Sequence, residues 1–207
     1  MLDTLAIFAV LIVVTGVSIA IFFLETRRWT TRRRWVAMSD WAEANDFRIC
    51  REHGTDDLVA LLGRSGVQVQ RVPLALTLSG SSDVAIVQAE TEGKDGAVLR
   101  WNLLVRKIGR AWPPTALRPS GAATSIVDTL PLTAYPSLIS ADRFVIYGSD
   151  TAAARMLAET RALGLLPPDT GLLLAGDQLL LDFSNRPFDG IEFGRMRALA
   201  KQLAASV

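Results

Sequence analysis

The chain has 207 residues, half of them hydrophobic, and a formal net charge of +1. Residues 25–36 hold five Arg and one Glu, whereas residues 37–207 hold 17 basic and 19 acidic residues. This balance excludes a general nucleic-acid-binding surface on residues 37–207, because such a surface needs clustered positive charge. The single cysteine, Cys50, excludes an internal disulfide and fits a reducing compartment.

An apolar segment near the N-terminus predicts a membrane-spanning helix. Residues 5–24 carry no charge, and their length at a helical rise of about 1.5 Å per residue matches a hydrocarbon core of about 30 Å. A cleaved signal peptide would instead have a basic start and a small-residue cleavage site. We therefore predict a transmembrane anchor over residues 1–25 of a single-pass inner-membrane protein, with the lipid bilayer as a partner.

Arginine and tryptophan residues follow the apolar segment and predict a collar at the membrane surface. Because the preceding tail contains no Lys or Arg, the positive-inside rule places the N-terminus outside and the C-terminal domain in the cytoplasm. We interpret residues 26–46 as a basic juxtamembrane collar and helical stalk that contacts anionic headgroups or only sets the topology. The predicted membrane-interface residues are Arg27, Arg28, Trp29, Arg32, Arg33, Arg34 and Trp35.

Two small residues in the apolar segment suggest a contact between two copies of the chain. Gly16 and Ala20 are four positions apart, so both lie on one face of the predicted helix. This spacing lets two helices approach closely. It therefore predicts a possible homodimer. Binding of an unknown protein partner is a separate prediction.

Residues 47–207 are predicted to form a cytoplasmic α+β domain. A hairpin is the clearest signal: residues 83–91 and 97–107 flank a Gly93–Gly96 turn. Leu99, Trp101, Leu103 and Val105 are predicted to face the core. Capping residues predict the starts of three helices: Thr55 with the two aspartates after it, Ser149 or Asp150, and Asp189. The last is predicted to turn Ile191, Met196, Ala200 and Leu203 inward.

Several weaker patterns complete the predicted domain. Short strands are predicted at residues 47–50, 67–70, 74–78, 124–127 and 143–147. Residues 109–122 contain three Pro and predict an irregular loop, and a Gly176-Asp177 turn predicts a tight hairpin over residues 172–183. Strands in hairpins with helices at the ends favour an antiparallel sheet packed by two or three helices, the α+β class.

One cysteine and one histidine stand close together but do not predict a metal site. Cys50 and His53 are the only residues of their types, and a structural zinc needs four ligands. Asp56 and Asp57 lie nearby, yet carboxylates opening a helix are more simply caps. The sequence thus predicts neither a metal nor a cofactor.

No catalytic motif is present in the sequence. The Ser-rich segment 78–82 matches neither a nucleophile elbow nor a phosphate loop, and it is typical of a turn. The carboxylates available for acid–base chemistry are Asp83, Glu90, Glu92, Asp182 and Asp189, which no spacing brings together. We therefore predict no catalytic residues and no enzymatic activity.

Two segments carry a resemblance to a group of known proteins. Residues 41–47 read Trp-Ala-Glu-Ala-Asn-Asp-Phe after the basic collar, and residues 144–150 read Phe-Val-Ile-Tyr-Gly-Ser-Asp. Together with the predicted anchor, this order resembles uncharacterised bacterial membrane-anchored proteins with a β-rich body. Asp46 stands where that pattern has glycine. The resemblance implies no activity and transfers no site residue.

Three hypotheses of function follow from these features. The leading one is a membrane-anchored, non-enzymatic interaction or scaffold module at the cytoplasmic face, because no reactive residues are evident. The alternative is a lipid or small-ligand binding domain with an apolar pocket lined by Trp101, Trp112 or Phe144. A hydrolase with dispersed catalytic groups is the third, and it needs a cleft with clustered ionisable residues.

Overall fold

The computed structural model describes residues 15–17, 19, 22, 32–51, 55–93, 95–130 and 135–207. The chain divides into two compact units, Met1–Trp41 and Ala42–Val207. Among the described residues of the first unit, positions 15–17, 19, 22 and 32–41 are helical. Helix α1 covers residues 32–44.

The prediction of a single-pass inner-membrane protein with a transmembrane helix is wrong on the described residues. None of the helices found there is both long enough and apolar enough to cross a membrane. Helices α2 (Asp56–Arg64) and α3 (Thr151–Glu159) have nine residues each, and α4 (Gly190–Ser206) has 17 with several charges. A span needs about 20 apolar residues. Most of the predicted span over residues 5–24 lies outside the described residues, as does Ala20 of the predicted dimer contact.

The predicted α+β fold class is also wrong, because the second unit is mainly one antiparallel sheet of seven strands with few helices. The strands run in the order β1-β2-β3-β4-β6-β5, and β7 also pairs with β4. Their bounds are β1 Phe47–Arg51, β2 Arg71–Leu78, β3 Val84–Glu92, β4 Val98–Pro119, β5 Ser137–Ser140, β6 Phe144–Gly148 and β7 Gly171–Asp182.

Strand β4 is the central element of the sheet. Its first half pairs with β3 and its second half with β6, while β7 pairs along the opposite edge of both halves. The register between β4 and β7 shifts on either side of Trp112, which pairs with Gly176. Lys107 pairs with Gln178, and Thr115 pairs with Leu174, so β4 has more residues than β7 between the two pairs. The additional residues of β4 form a β-bulge.

Both faces of the sheet are buried, which explains the continuous apolar runs in its central strands. Leu103 and Leu104 are adjacent, point to opposite faces, and are both fully buried. On one face, Leu103 belongs to a cluster that includes Leu62 of α2 and Ile126 of a 3-10 turn, Ile126–Thr129. Helix α4 packs against β4 and β7. The sheet therefore forms the middle layer.

The structure confirms some of the predicted elements and contradicts others. The hairpin of β3 and β4, the cap of α3 by Asp150 and the cap of α4 by Asp189 are confirmed. Residues 67–70 are not a strand, residues 124–127 form no strand, and residues 109–119 continue β4 rather than forming a loop. The predicted hairpin over 172–183 is the single strand β7, and Ile191 is 72% exposed rather than inward.

Asp46 adopts a left-handed backbone conformation between α1 and β1. Its φ is +61°, in the region that favours glycine, and its carbonyl accepts a hydrogen bond from the Ser79 amide at 2.8 Å. The related sequence pattern has glycine at this position because glycine adopts a positive φ without steric strain. Aspartate tolerates the conformation better than most residues but still pays a steric cost.

A buried carboxylate links three neighbouring strands. Glu90 on β3 pairs in register with Arg71 on β2 and Arg100 on β4. Its carboxylate is 2% exposed and accepts hydrogen bonds from both guanidinium groups, at 2.8 Å from Arg100. The hydrogen bond from Arg71 lowers the pKa of Glu90 against the opposing effect of burial, and Arg100 lowers it further.

Replacing Asp46 with glycine should stabilise the protein. We expect Asp46→Gly to raise the free energy of unfolding by about 0.5–1 kcal/mol, because relief of the left-handed strain exceeds the added entropy of the unfolded chain. Urea unfolding measures the change. Asp142→Gly, at an exposed aspartate without positive φ, should give no gain. Equal effects of the two substitutions would contradict the strain argument.

Removing the charge of Glu90 should destabilise the protein in a pH-dependent way. Since the folded-state pKa lies below its ordinary value of 4.5, the ionised carboxylate stabilises the fold at neutral pH and this contribution is lost as pH falls through the folded-state pKa. We expect Glu90→Gln to cost about 1.5 kcal/mol at pH 7, a low value because both arginines are largely exposed. The cost should shrink below pH 4.5.

Glu92→Gln, at an exposed position on the same strand, is the matched control and should have little effect at either pH. If Glu90→Gln lowers the free energy of unfolding by the same amount at pH 7 and in acid, the shape of the side chain rather than its charge is responsible for the loss.

Candidate functional site

An open cleft of about 560 Å³ lies between helix α2 and one face of the sheet. Residues of α2 form one wall, and residues of β1, β2, β3, β4 and β7 form the other. The turn between β2 and β3 closes part of its edge through Ser81 and Ser82. Its volume is within the range of small-molecule binding sites.

Two hydrogen bonds from the residues flanking α2 hold the helix over the sheet. At the N-terminal end, Thr55 does not cap the helix with its side chain but donates from Oγ1 to the Val72 carbonyl, at 3.2 Å. At the C-terminal end, the Ser65 hydroxyl donates to Oε1 of Gln178 on β7, at 2.5 Å. Between them, Leu62 is fully buried. The spacing between helix and sheet is therefore determined at both ends.

Apolar side chains lie on both walls of the cleft, among polar ones. Leu58 and Leu61 of α2 are only partly buried and pack against the core cluster. The sheet contributes Val84, Ala85 and Val105 opposite them. Ala85 and Val105 are directly paired across β3 and β4. Because Val84, Ala85 and Val105 are almost fully buried, the apolar surface that a bound alkyl or aromatic group would cover belongs mainly to α2.

One end of the cleft is polar and charged. Arg64 closes the last turn of α2, and Lys107 of β4 forms an ion pair with Asp177 of β7, with 3.9 Å between Nζ and Oδ2. Lys107 and Asp177 are each more than half exposed, so this pair contributes little to stability. The adjacent Gln178 is only 4% exposed. The cleft thus combines apolar side chains on both walls with a charged end, and further polar side chains line it elsewhere.

Residues that were separate candidates in the sequence analysis lie together in the cleft. Cys50 lies on β1 with its thiol 3.8 Å from the Thr77 hydroxyl, and both residues line the cleft with Asp57. Residues 52–54 lie outside the described residues, so His53 cannot be placed. No group of three or more His, Cys, Asp or Glu side chains that could hold a metal occurs among the residues described.

The carboxylates considered for acid–base chemistry have separate structural surroundings. Glu90 joins β2, β3 and β4, and Asp189 accepts hydrogen bonds from two amides in the first turn of α4. Glu92 accepts a hydrogen bond from Gln70 at 3.0 Å. The carbonyl of Asp83 accepts from the Lys107 amide. We find no arrangement of these groups that suits a shared acid–base step.

Asp182 is the most buried of these carboxylates, at 1% exposed. It accepts hydrogen bonds from the Ile126 amide at 2.7 Å, the Ser125 hydroxyl at 3.1 Å, and both the amide and hydroxyl of Ser184. Burial raises the pKa of Asp182, although these donors oppose the increase. The contacts tie the 3-10 turn at Ile126 to the end of β7, which is a structural role.

The aromatic pocket predicted from the sequence is wrong in its residues. Trp101 is buried and donates from Nε1 to the Thr91 hydroxyl at 2.8 Å, and Trp112 is buried as well. Phe144 borders a separate crevice of only about 10 Å³. The cleft is lined by none of the three. Aromatic residues did not predict the lining of the cleft, because these side chains fill the core or cover the sheet.

The predicted membrane-interface residues can be placed only in part. Arg27, Arg28 and Trp29 lie outside the described residues. Residues 32–35 belong to α1, where the three arginines are exposed and Trp35 is partly exposed. Their interfacial role stays a prediction, since nothing in the described helix tests it.

Comparison with known proteins gives a fold relationship. No protein-family model and no curated protein sequence matches the chain. Among solved structures, the chain is similar to the crystal structure of the mycobacterial trehalose monomycolate transport factor A, TtfA. The TM-score is 0.57 at 12% sequence identity, over 82% of this chain and 92% of that chain. At this identity, the likeness shows a shared fold and nothing more specific.

Proposed function

We propose that this chain binds a lipid or another small, largely apolar ligand in the cleft between α2 and the sheet. The observation that carries the proposal is an open space of about 560 Å³ with apolar residues on both walls. Most apolar side chains in the unit are buried against one another, whereas Leu58 and Leu61 keep part of their surface open to this space. Burial of that surface by a ligand is favourable.

The attachment of α2 at both ends supports the same proposal. A helix held by Thr55 and Ser65 does not need to move before a ligand enters, so little free energy is lost in reorganisation. The cleft is therefore a largely preformed site. Binding of an apolar molecule to such a site is driven by the area removed from water, at about 25 cal/mol per Å².

The fold relationship supports a lipid as the ligand class. The similar structure is that of a transport factor for trehalose monomycolate, a lipid. Transport of a lipid requires shielding of its apolar part, and a cleft that combines apolar and polar side chains suits an amphiphilic molecule. The fold and the cleft together favour lipid binding over the interaction-module hypothesis, which stays a prediction.

Filling the cleft should weaken ligand binding without disturbing the fold. Ala60 lies on α2, lines the cleft and is exposed, so a tryptophan there can occupy the space without entering the core. We expect Ala60→Trp to weaken binding of the neutral probe N-phenyl-1-naphthylamine at least tenfold, a loss of about 1.4 kcal/mol. Equilibrium dialysis measures the affinity. The matched control is Ala152→Trp, at an exposed position of α3, which should bind within twofold of the original chain.

The single cysteine reports where the probe binds. Cys50 lines the cleft, so a saturating probe should slow its alkylation by N-ethylmaleimide several-fold in the original chain. The proposal fails if the probe does not bind, if it binds Ala60→Trp as tightly, or if it binds without protecting Cys50. Unfolding curves of both tryptophan variants control for loss of structure.

A further inference from the structure

Three residues with side-chain donors line the polar end of the cleft. Arg64 closes α2, and the next residue, Ser65, is hydrogen-bonded to Gln178 of β7. Gln178 follows Asp177, which pairs with Lys107. This chain of contacts brings the Arg64 guanidinium, the Lys107 ammonium and the Gln178 amide to one end of the same space, which all three residues line.

The charge at this end is positive. Arg64 and Lys107 supply two positive charges, and Asp177 supplies one negative charge. The distance of 3.9 Å from Lys107 to Asp177 is longer than a charge-assisted hydrogen bond, so the ammonium retains capacity for another anion. Arg64 forms no ion pair with any residue that the structure describes. Asp57, the other acidic residue of the lining, lies in the first turn of α2, about 10 Å along the helix from Arg64.

Gln178 adds an amide donor to the lining of the cleft. Its Oε1 accepts from Ser65, whereas its amide nitrogen donates to no side chain or carbonyl within the described ranges. The residue as a whole is 4% exposed. The amide nitrogen is not one of the fully buried polar atoms without a partner among the described residues, so it keeps contact with solvent, and a ligand in the cleft can supply an acceptor in place of that solvent.

We infer that the ligand is a single-chain amphiphile with an anionic head, a carboxylate or a phosphate. The head contacts Arg64, Lys107 and Gln178, while the alkyl chain lies between α2 and the sheet. The volume suits one chain rather than a large lipid with several. This inference rests on the proposed function, since it assigns the head group of a ligand bound in the same cleft.

The test compares ligands that share one alkyl chain and differ in the head. Dodecanoate, dodecyl phosphate and dodecanol are titrated below their aggregation limits into the full chain, and binding is followed calorimetrically. We expect at least one anionic ligand to bind tenfold or more tightly than dodecanol. Whichever of the two anions binds more tightly identifies the head as carboxylate or phosphate.

Substitutions then assign the preference to the polar end. The double variant Arg64→Gln, Lys107→Gln should lose most of the anion preference while its affinity for dodecanol changes less than twofold. Asp177→Asn should strengthen anion binding several-fold, because Lys107 loses its competing partner. Arg155→Gln, at an exposed position on α3 outside the cleft, is the control and should change neither affinity.

The outcomes separate this inference from the proposed function. If dodecanol binds as tightly as both anions, or if the double variant keeps the preference, the anionic head is wrong while the cleft remains a binding site. If no ligand binds and Cys50 is not protected by the neutral probe, the proposed function itself is wrong. Anion binding strengthened by Asp177→Asn and weakened by the double variant supports both.

Discussion

The pairing of strand β4 with three other strands is the interaction on which the rest of the structure depends. Over Val98–Pro119 it joins β3, β6 and β7 into one sheet, and it is buried on both faces at residues 103–105 and 115–117. A strand this long twists, and the bulge around Trp112 accommodates the extra length against β7. The left-handed Gly176, with φ of +58°, lies opposite Trp112. The irregular residue of β7 is therefore paired directly with the irregular part of β4.

The cleft follows from how little of one sheet face α2 can cover. The helix has nine residues and is about 13 Å long, so it reaches from β2 to β7 but covers only a short part of the length of these strands. Its flanking residues, Thr55 and Ser65, attach it to β2 and β7 rather than leaving it free to collapse further onto the apolar surface. A short helix fixed at both ends thus leaves space beside Leu62 that a fully packed core would not retain.

Local sequence patterns predicted the elements that neighbouring residues specify. They failed for the elements whose structure depends on pairing between distant strands. The hairpin at Asp95-Gly96 and the cap at Asp189 are specified by neighbouring residues. Pro113 and Pro114 suggested a loop, but they lie at the β4 bulge, where no ladder hydrogen bond is required of them. The cleft could not be predicted, because Cys50, Asp57 and the Ser81–Ser82 turn approach one another only through sheet pairing and helix attachment.

Hydrogen exchange in the presence of an amphiphile tests most directly the claim that the ligand lies between α2 and the sheet. With dodecanoate bound, the account predicts slower exchange in Asp56–Arg64 and in the turn at residues 78–84, which line the cleft. Exchange in α3, which does not line it, should be unchanged. Protection confined to α3 or α4, or no protection in α2 at saturating ligand, would contradict the account.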